Sequence, residues 1–168
     1  MADIAKILKD LYDSKLKNDC SGFFKGLAQQ LGLTGYDHLN ADLIVAKISD
    51  PAGGWEKLGE GVTDGATAAA SAAEGYLVVA LLKAADHDPH RKNKKTGEVE
   101  VRPYTHGHLS IVIPGPLKEG YPQVVSGSIV ADGQSDGSKT VLGVWRRIDA
   151  PHVKYYRWPT KFPVLLTK

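Results

Sequence analysis

The strongest constraint on the fold is a change of hydrophobic period at Gly75-Tyr76. Before it, Ile4, Ile7, Leu8, Leu11 and Tyr12 follow the i, i+3, i+4, i+7, i+8 pattern with charges on the other face, which predicts an amphipathic first helix. After it, residues 76–82 form a short apolar run bounded by glycine and charge, the pattern of a buried strand. Alternation predicts further strands over residues 106–113, 124–130 and 152–158, while 138–145 fits either a short helix or a strand. Helices first and strands afterwards predict an α+β fold, an N-terminal helical part packed on a C-terminal antiparallel sheet.

Within the helical half, Phe23, Phe24, Leu27, Ala28 and Leu31 recur at helical spacing and Gly32 closes the run. Residues 40–48 predict a short helix, Asp50-Pro51 and Gly53-Gly54 a turn, and Asp64 a cap for a small-residue helix over 65–74. Residues 86–103 are polar and basic, with a turn at Thr96-Gly97 and Val99 and Val101 alternating after it, so a surface loop or projecting hairpin is expected there. No repeat or linker divides the chain, and residues 1–168 read as one domain carrying that insertion.

The net charge of +2 is spread along the chain and lacks the clustered basic and aromatic stripe of a nucleic-acid binder. Asp3, Lys6, Lys9, Asp10 and Asp13 interrupt the apolar core that a secretory leader needs, and no run reaches transmembrane length. The single cysteine excludes an intramolecular disulfide.

That cysteine, Cys20, stands where the second helix is expected to begin. A free cysteine is commonly a small core residue, but Asp19, Ser21 and Gly22 around it are unlike a core. At a helix start, unpaired N–H groups and the macrodipole favour thiolate. A thiol of ordinary pKa is only about 3% ionised at pH 7. Lowering its pKa by about 2 units takes about 3 kcal/mol, more than a helix terminus supplies, so an imidazolium partner is expected. Of His38, His87, His90, His106, His108 and His152, the pair His106 and His108 lies at i and i+2 on a predicted core strand and shares one face. Either suits the base.

Asp19-Cys20-Ser21-Gly22-Phe23 resembles the nucleophile motif of NlpC-type, papain-fold cell-wall peptidases. With Gly107-His108, Gly115-Pro116-Leu117, Tyr121-Pro122, Gly127-Ser128-Ile129, Gly133-Gln134-Ser135 and Tyr155-Tyr156 in order, most of the chain resembles the first family of type VI secretion amidase effectors. The resemblance implies a papain-like enzyme that cuts peptidoglycan stems between γ-D-glutamate and meso-diaminopimelate. It implies Cys20 as nucleophile and His108 as base, without a cofactor or metal. The fold usually places a polar group on the next strand to orient the imidazole; Ser126 is the candidate, with a backbone carbonyl as the alternative. Asp19, Ser21, Gln134 and His106 are candidate substrate contacts.

The same resemblance implies a monomer made in the bacterial cytoplasm without a signal peptide and delivered by the type VI machinery into a recipient's periplasm. A cognate immunity protein is its implied partner. Three other readings keep some of these residues. A papain-fold deamidase or acyltransferase uses the same thiol and imidazole. A metal-dependent amidase draws on Asp86, His87, Asp88, His90, His106 and His108. A non-catalytic wall-binding module requires Cys20 to be inert.

Overall fold

The computed structural model describes residues 3–162; Met1, Ala2 and residues 163–168, which hold most of the proline-punctuated tail, lie outside it. Three helices precede the first strand: α1 (Ile4–Asp13), α2 (Cys20–Gln30) and α3 (Ala41–Ser49). The chain continues through β1 (Glu56–Glu60), α4 (Gly65–Ala73), β2 (Tyr76–Leu82), β3 (His90–Lys92), β4 (Val99–Val101) and β5 (His108–Val112). It finishes with β6 (Gln123–Ser126), β7 (Ser135–Thr140), α5 (Val141–Val144) and β8 (Lys154–Lys161). Six strands make one antiparallel sheet in the order β1-β8-β2-β5-β6-β7, and β3 with β4 forms a separate hairpin.

Both faces of the sheet are covered. Leu77, Val79 and Leu81 of β2 and Leu109 and Ile111 of β5 pack on Leu8, Phe24, Leu27, Ile44 and Ile48 of α1, α2 and α3. The alternate residues Val78, Ala80, Leu82 and Val112 pack on Ala68 and Ala72 of α4 and on Trp145 and Val153. The period of two in β2 therefore feeds two cores, which is why its sequence is apolar throughout. The alanines of α4 let that helix lie close, with the Gly65 position touching the Gly120 carbonyl.

The predicted helices and β2 are present, and several boundaries differ. The 106–113 strand begins only at His108, leaving His106 exposed on the bend before it, so the two histidines do not share a strand face. The 124–130 strand ends at Ser126, because the chain turns at Gly127 to pass the start of α2, and Ser128 and Val130 leave the sheet. Asp64 does not cap α4; its Oδ2 accepts from the Glu60 N–H at 2.8 Å and holds the preceding turn. Residues 138–145 divide between β7 and α5, and the last strand starts at Lys154, after a short turn that takes His152.

The unforeseen strand β1 and the polar β7 are the two sheet edges. Their residues, Glu56-Lys57-Leu58-Gly59-Glu60 and Ser135-Asp136-Gly137-Ser138-Lys139-Thr140, lack alternating hydrophobicity, and each pairing carries an irregularity. Polar, bulged edges resist pairing with another sheet, and the same chemistry hides them from hydrophobic-pattern reading.

Helix α2 meets the sheet at Gly127. A Cβ there would stand 2.8 Å from the Leu16 carbonyl oxygen, 2.9 Å from that of Asp19 and 2.9 Å from Phe23 Cβ. Ser128 N–H donates to the Lys17 carbonyl at 2.8 Å, closing the same joint. Gly127→Ala is expected to destabilise the fold by about 1–3 kcal/mol through overpacking, read as a lower urea midpoint.

Candidate active site

Asp19 has extended backbone and is the N-cap of α2; its Oδ1 accepts from Ser21 N–H at 3.0 Å and from Ser21 Oγ–H at 2.8 Å. Cys20 is the first helical residue and is only partly exposed. The far end closes in a Schellman arrangement, Leu33 N–H to the Ala28 carbonyl and Gly32 N–H to that of Gln29, with Gly32 at φ 73°. Both ends of α2 are thus held by its own sequence, which fixes where the thiol emerges.

The backbone N–H groups of Ser21, Leu109 and Cys20 itself lie near enough to Sγ to favour its thiolate. Leu109 follows His108, so the thiol lies near the first residues of β5. The His108 ring packs edge-to-face on Trp145 with centroids 5.0 Å apart and lies beside Gly133, where an added Cβ would stand 3.8 Å from His108 Cε1. Its Nε2 lies 3.1 Å from Ser126 Oγ. Ser126 Oγ–H donates to the Gly127 carbonyl at 3.3 Å, so its oxygen is free to accept from His108 Nε2–H. That assignment leaves the lone pair on Nδ1.

The electrostatics differ from the expected thiolate. Burial pushes the Cys20 thiol up to about 11, and the Asp19 carboxylate adds to this, outweighing the three N–H groups. Burial pushes His108 down to about 4, helped by His87 nearby, and only the Gly133 carbonyl opposes it. Ser126 brings no charge to stabilise an imidazolium, so both groups favour their uncharged forms at neutral pH.

The remaining candidates serve the frame. Gln134 Nε2 donates to Asn18 Oδ1 at 3.1 Å and to the Ser128 carbonyl at 2.8 Å, tying the 128–134 loop to the residues before Cys20. Asp19 and Ser21 are engaged in the cap, and His106 is exposed beside the site. Sequence reading missed Asp42, whose Oδ1 accepts from Gly107 N–H at 2.8 Å and Ala84 N–H at 3.4 Å, fixing the entry into β5. In sequence it looks like any acidic residue in a first helical turn.

Also missed was a buried cluster behind His108. Asp149, 1% exposed, accepts from Arg146 Nε–H and Asp88 N–H, each at 2.7 Å, and its Oδ2 lies 3.4 Å from Nδ1 of the buried His87. His90 turns away to Asp88, so the histidines and aspartates that are close in sequence point to different places. Among the described residues no three His, Cys, Asp or Glu side chains gather as a metal ion would require.

A thiol at the start of a helix, packed on an antiparallel sheet whose neighbouring strand carries an imidazole, is the papain-like arrangement. No family model matches the chain. Over 142 aligned residues it is 37% identical to the peptidoglycan amidase Tse1 of Pseudomonas aeruginosa, covering 83% of this chain and 75% of that protein. The chain belongs to the family of type VI secretion amidase effectors.

Because His108 has a lower pKa folded than unfolded, the unfolded chain takes up a proton between about pH 6.5 and 4 that the native state refuses. Its contribution is fully present above that window and lost as pH falls through it. The loss amounts to about 3 kcal/mol. Burial lowers His87 as well, with the same sign. Urea midpoints at pH 7 and pH 4.5 are expected to converge substantially in His108→Gln relative to the unmodified chain.

Proposed function

We propose that this chain is a cysteine amidase of peptidoglycan stem peptides, cutting the bond between γ-D-glutamate and meso-diaminopimelate. The observation that carries the reading is the His108 imidazole at the start of β5, 3.1 Å from Ser126 Oγ, with the Cys20 thiol buried at the start of α2 near the same strand. Similarity to a peptidoglycan amidase over most of the chain supports the substrate class, and the sequence motifs support the bond.

The mechanism follows from the uncharged resting pair. As Sγ attacks the γ-glutamyl carbonyl, His108 Nδ1 takes the thiol proton, so charge forms only when substrate is bound. The Cys20 N–H, one of the unpaired donors at the start of α2, stabilises the developing oxyanion in this reading. The imidazolium, still donating to Ser126, returns the proton to the departing amine of diaminopimelate. A water molecule then gives a proton to His108 and attacks the thioester, releasing the shortened stem and restoring the thiol. Trp145 against the ring and Ser126 at Nε2 keep the imidazole in one orientation throughout.

No helix among the described residues is long and apolar enough to cross a membrane. Delivery into a neighbouring cell's periplasm by the type VI route, and neutralisation by an immunity protein, complete the reading of the chain as an antibacterial effector.

The test is digestion of purified sacculi with mass spectrometry of the fragments. The unmodified chain is expected to release stems ending at γ-D-glutamate, and Cys20→Ala to release none; undiminished release by Cys20→Ala overturns the proposal. Ser126→Ala is expected to lower kcat roughly tenfold, the cost of one neutral hydrogen bond to the base. An unchanged kcat assigns the orientation of His108 to the Gly133 carbonyl instead.

A further inference from the structure

The five arginines of the chain divide four to one. Arg102 pairs with Glu100 at 3.2 Å, Arg146 with Asp149 at 2.7 Å, Arg147 with Glu119 at 2.7 Å and Arg157 with Glu56 at 2.6 Å. Arg91, on β3 of the insertion, has no carboxylate partner among the described residues, and its Nε is buried without any hydrogen bond. A desolvated donor left unpaired is costly, so the position calls for an explanation.

Arg91 is held in place despite lacking an anion. Its guanidinium carbon lies 3.7 Å from the centroid of Tyr104, and Tyr104 stacks on His87 with centroids 4.1 Å apart and planes 19° from parallel. His87 in turn rests on Asp149, which Arg146 and Asp88 N–H fix from the other side. Arg146 also lies 5.2 Å from the Tyr104 ring and donates to the His90 carbonyl at 2.9 Å, pinning the hairpin to the domain.

The pile stands beside the site. Trp145, the residue before Arg146, is the one packed on His108, with ring centroids 5.0 Å apart. Tyr104 lies on the segment leading into β5, four residues before His108. With Nε covered and the residue still partly exposed, the fork of Nη1 and Nη2 is the edge on offer. A planar fork held by stacking is suited to a carboxylate, which it binds through two parallel hydrogen bonds.

Proposed substrate chemistry supplies that carboxylate. A glutamate joined through its γ-carboxyl leaves the α-carboxyl free, separated from the scissile carbonyl by only two methylenes and the α-carbon. We propose that Arg91 is a specificity residue that binds this free α-carboxylate, so that the basic hairpin selects acidic stems over stems amidated at that position. This rests on the stem-peptide reading above.

The test uses Cys20→Ala, which binds without turnover, and isothermal titration with two synthetic stem peptides that differ only in a free or amidated glutamate α-carboxyl. The free acid is expected to bind at least tenfold more tightly than the amide. Adding Arg91→Gln is expected to reduce acid binding to the amide level while amide binding stays unchanged, and Arg91→Lys to recover part of the difference. Equal binding of both peptides overturns the role of Arg91 alone. Equal weakening of both by Arg91→Gln also overturns it, since that is what loss of hairpin packing would produce. Failure of both peptides to bind overturns this proposal together with the substrate reading.

Discussion

The joint between the start of α2 and the ends of β5 and β6 is the contact on which the site depends. Gly127 lets the chain leaving β6 pass within van der Waals distance of the Leu16 and Asp19 carbonyls, and the Leu109 N–H of β5 is close enough to the thiol to favour its charged form. One approach therefore sets the separation of thiol, imidazole and hydroxyl together. It also desolvates them, and desolvation decides their charge. The helix start and nearby N–H groups stabilise a thiolate, but burial and the adjacent Asp19 carboxylate act more strongly in the opposite direction. An uncharged pair avoids burying two ions whose mutual attraction must offset their lost hydration.

In the proposed mechanism the same burial lets a neutral hydroxyl serve at Nε2. A carboxylate there would stabilise the imidazolium at rest; Ser126 instead fixes the tautomer by accepting from Nε2–H while giving its own proton to the Gly127 carbonyl. The frame is correspondingly polar and local. Asp42 holds Gly107, Gln134 holds Asn18 and Ser128, and Asp19 is occupied with its own helix. These side chains position the reacting groups through backbone and loop contacts.

The helices, the central strands and the stretch around Cys20 were legible because each follows from local pattern: period, cap and glycine. The edge strands β1 and β7 were not, since a strand protected from edge pairing by Glu56, Lys57, Asp136 and Lys139 carries little hydrophobic alternation. His106 and His108 looked equivalent by spacing; the bend before β5, held by Asp42, separates them. The Asp149–His87–Tyr104–Arg91 pile could not be read at all. It joins residues up to 62 positions apart, and nothing in local sequence marks such a contact. The burial of the thiol was not legible for a related reason: helix position is visible in sequence, while desolvation depends on strands that arrive about ninety residues later.

In the proposed mechanism Cys20 and His108 rest uncharged and transfer a proton only during attack. It is tested most directly by the pH dependence of iodoacetamide alkylation of Cys20 in the free protein, followed by mass spectrometry. The rate is expected to stay low through neutrality and to rise toward a midpoint of about 11. A plateau already reached below pH 7 would show a preformed thiolate–imidazolium pair and contradict it.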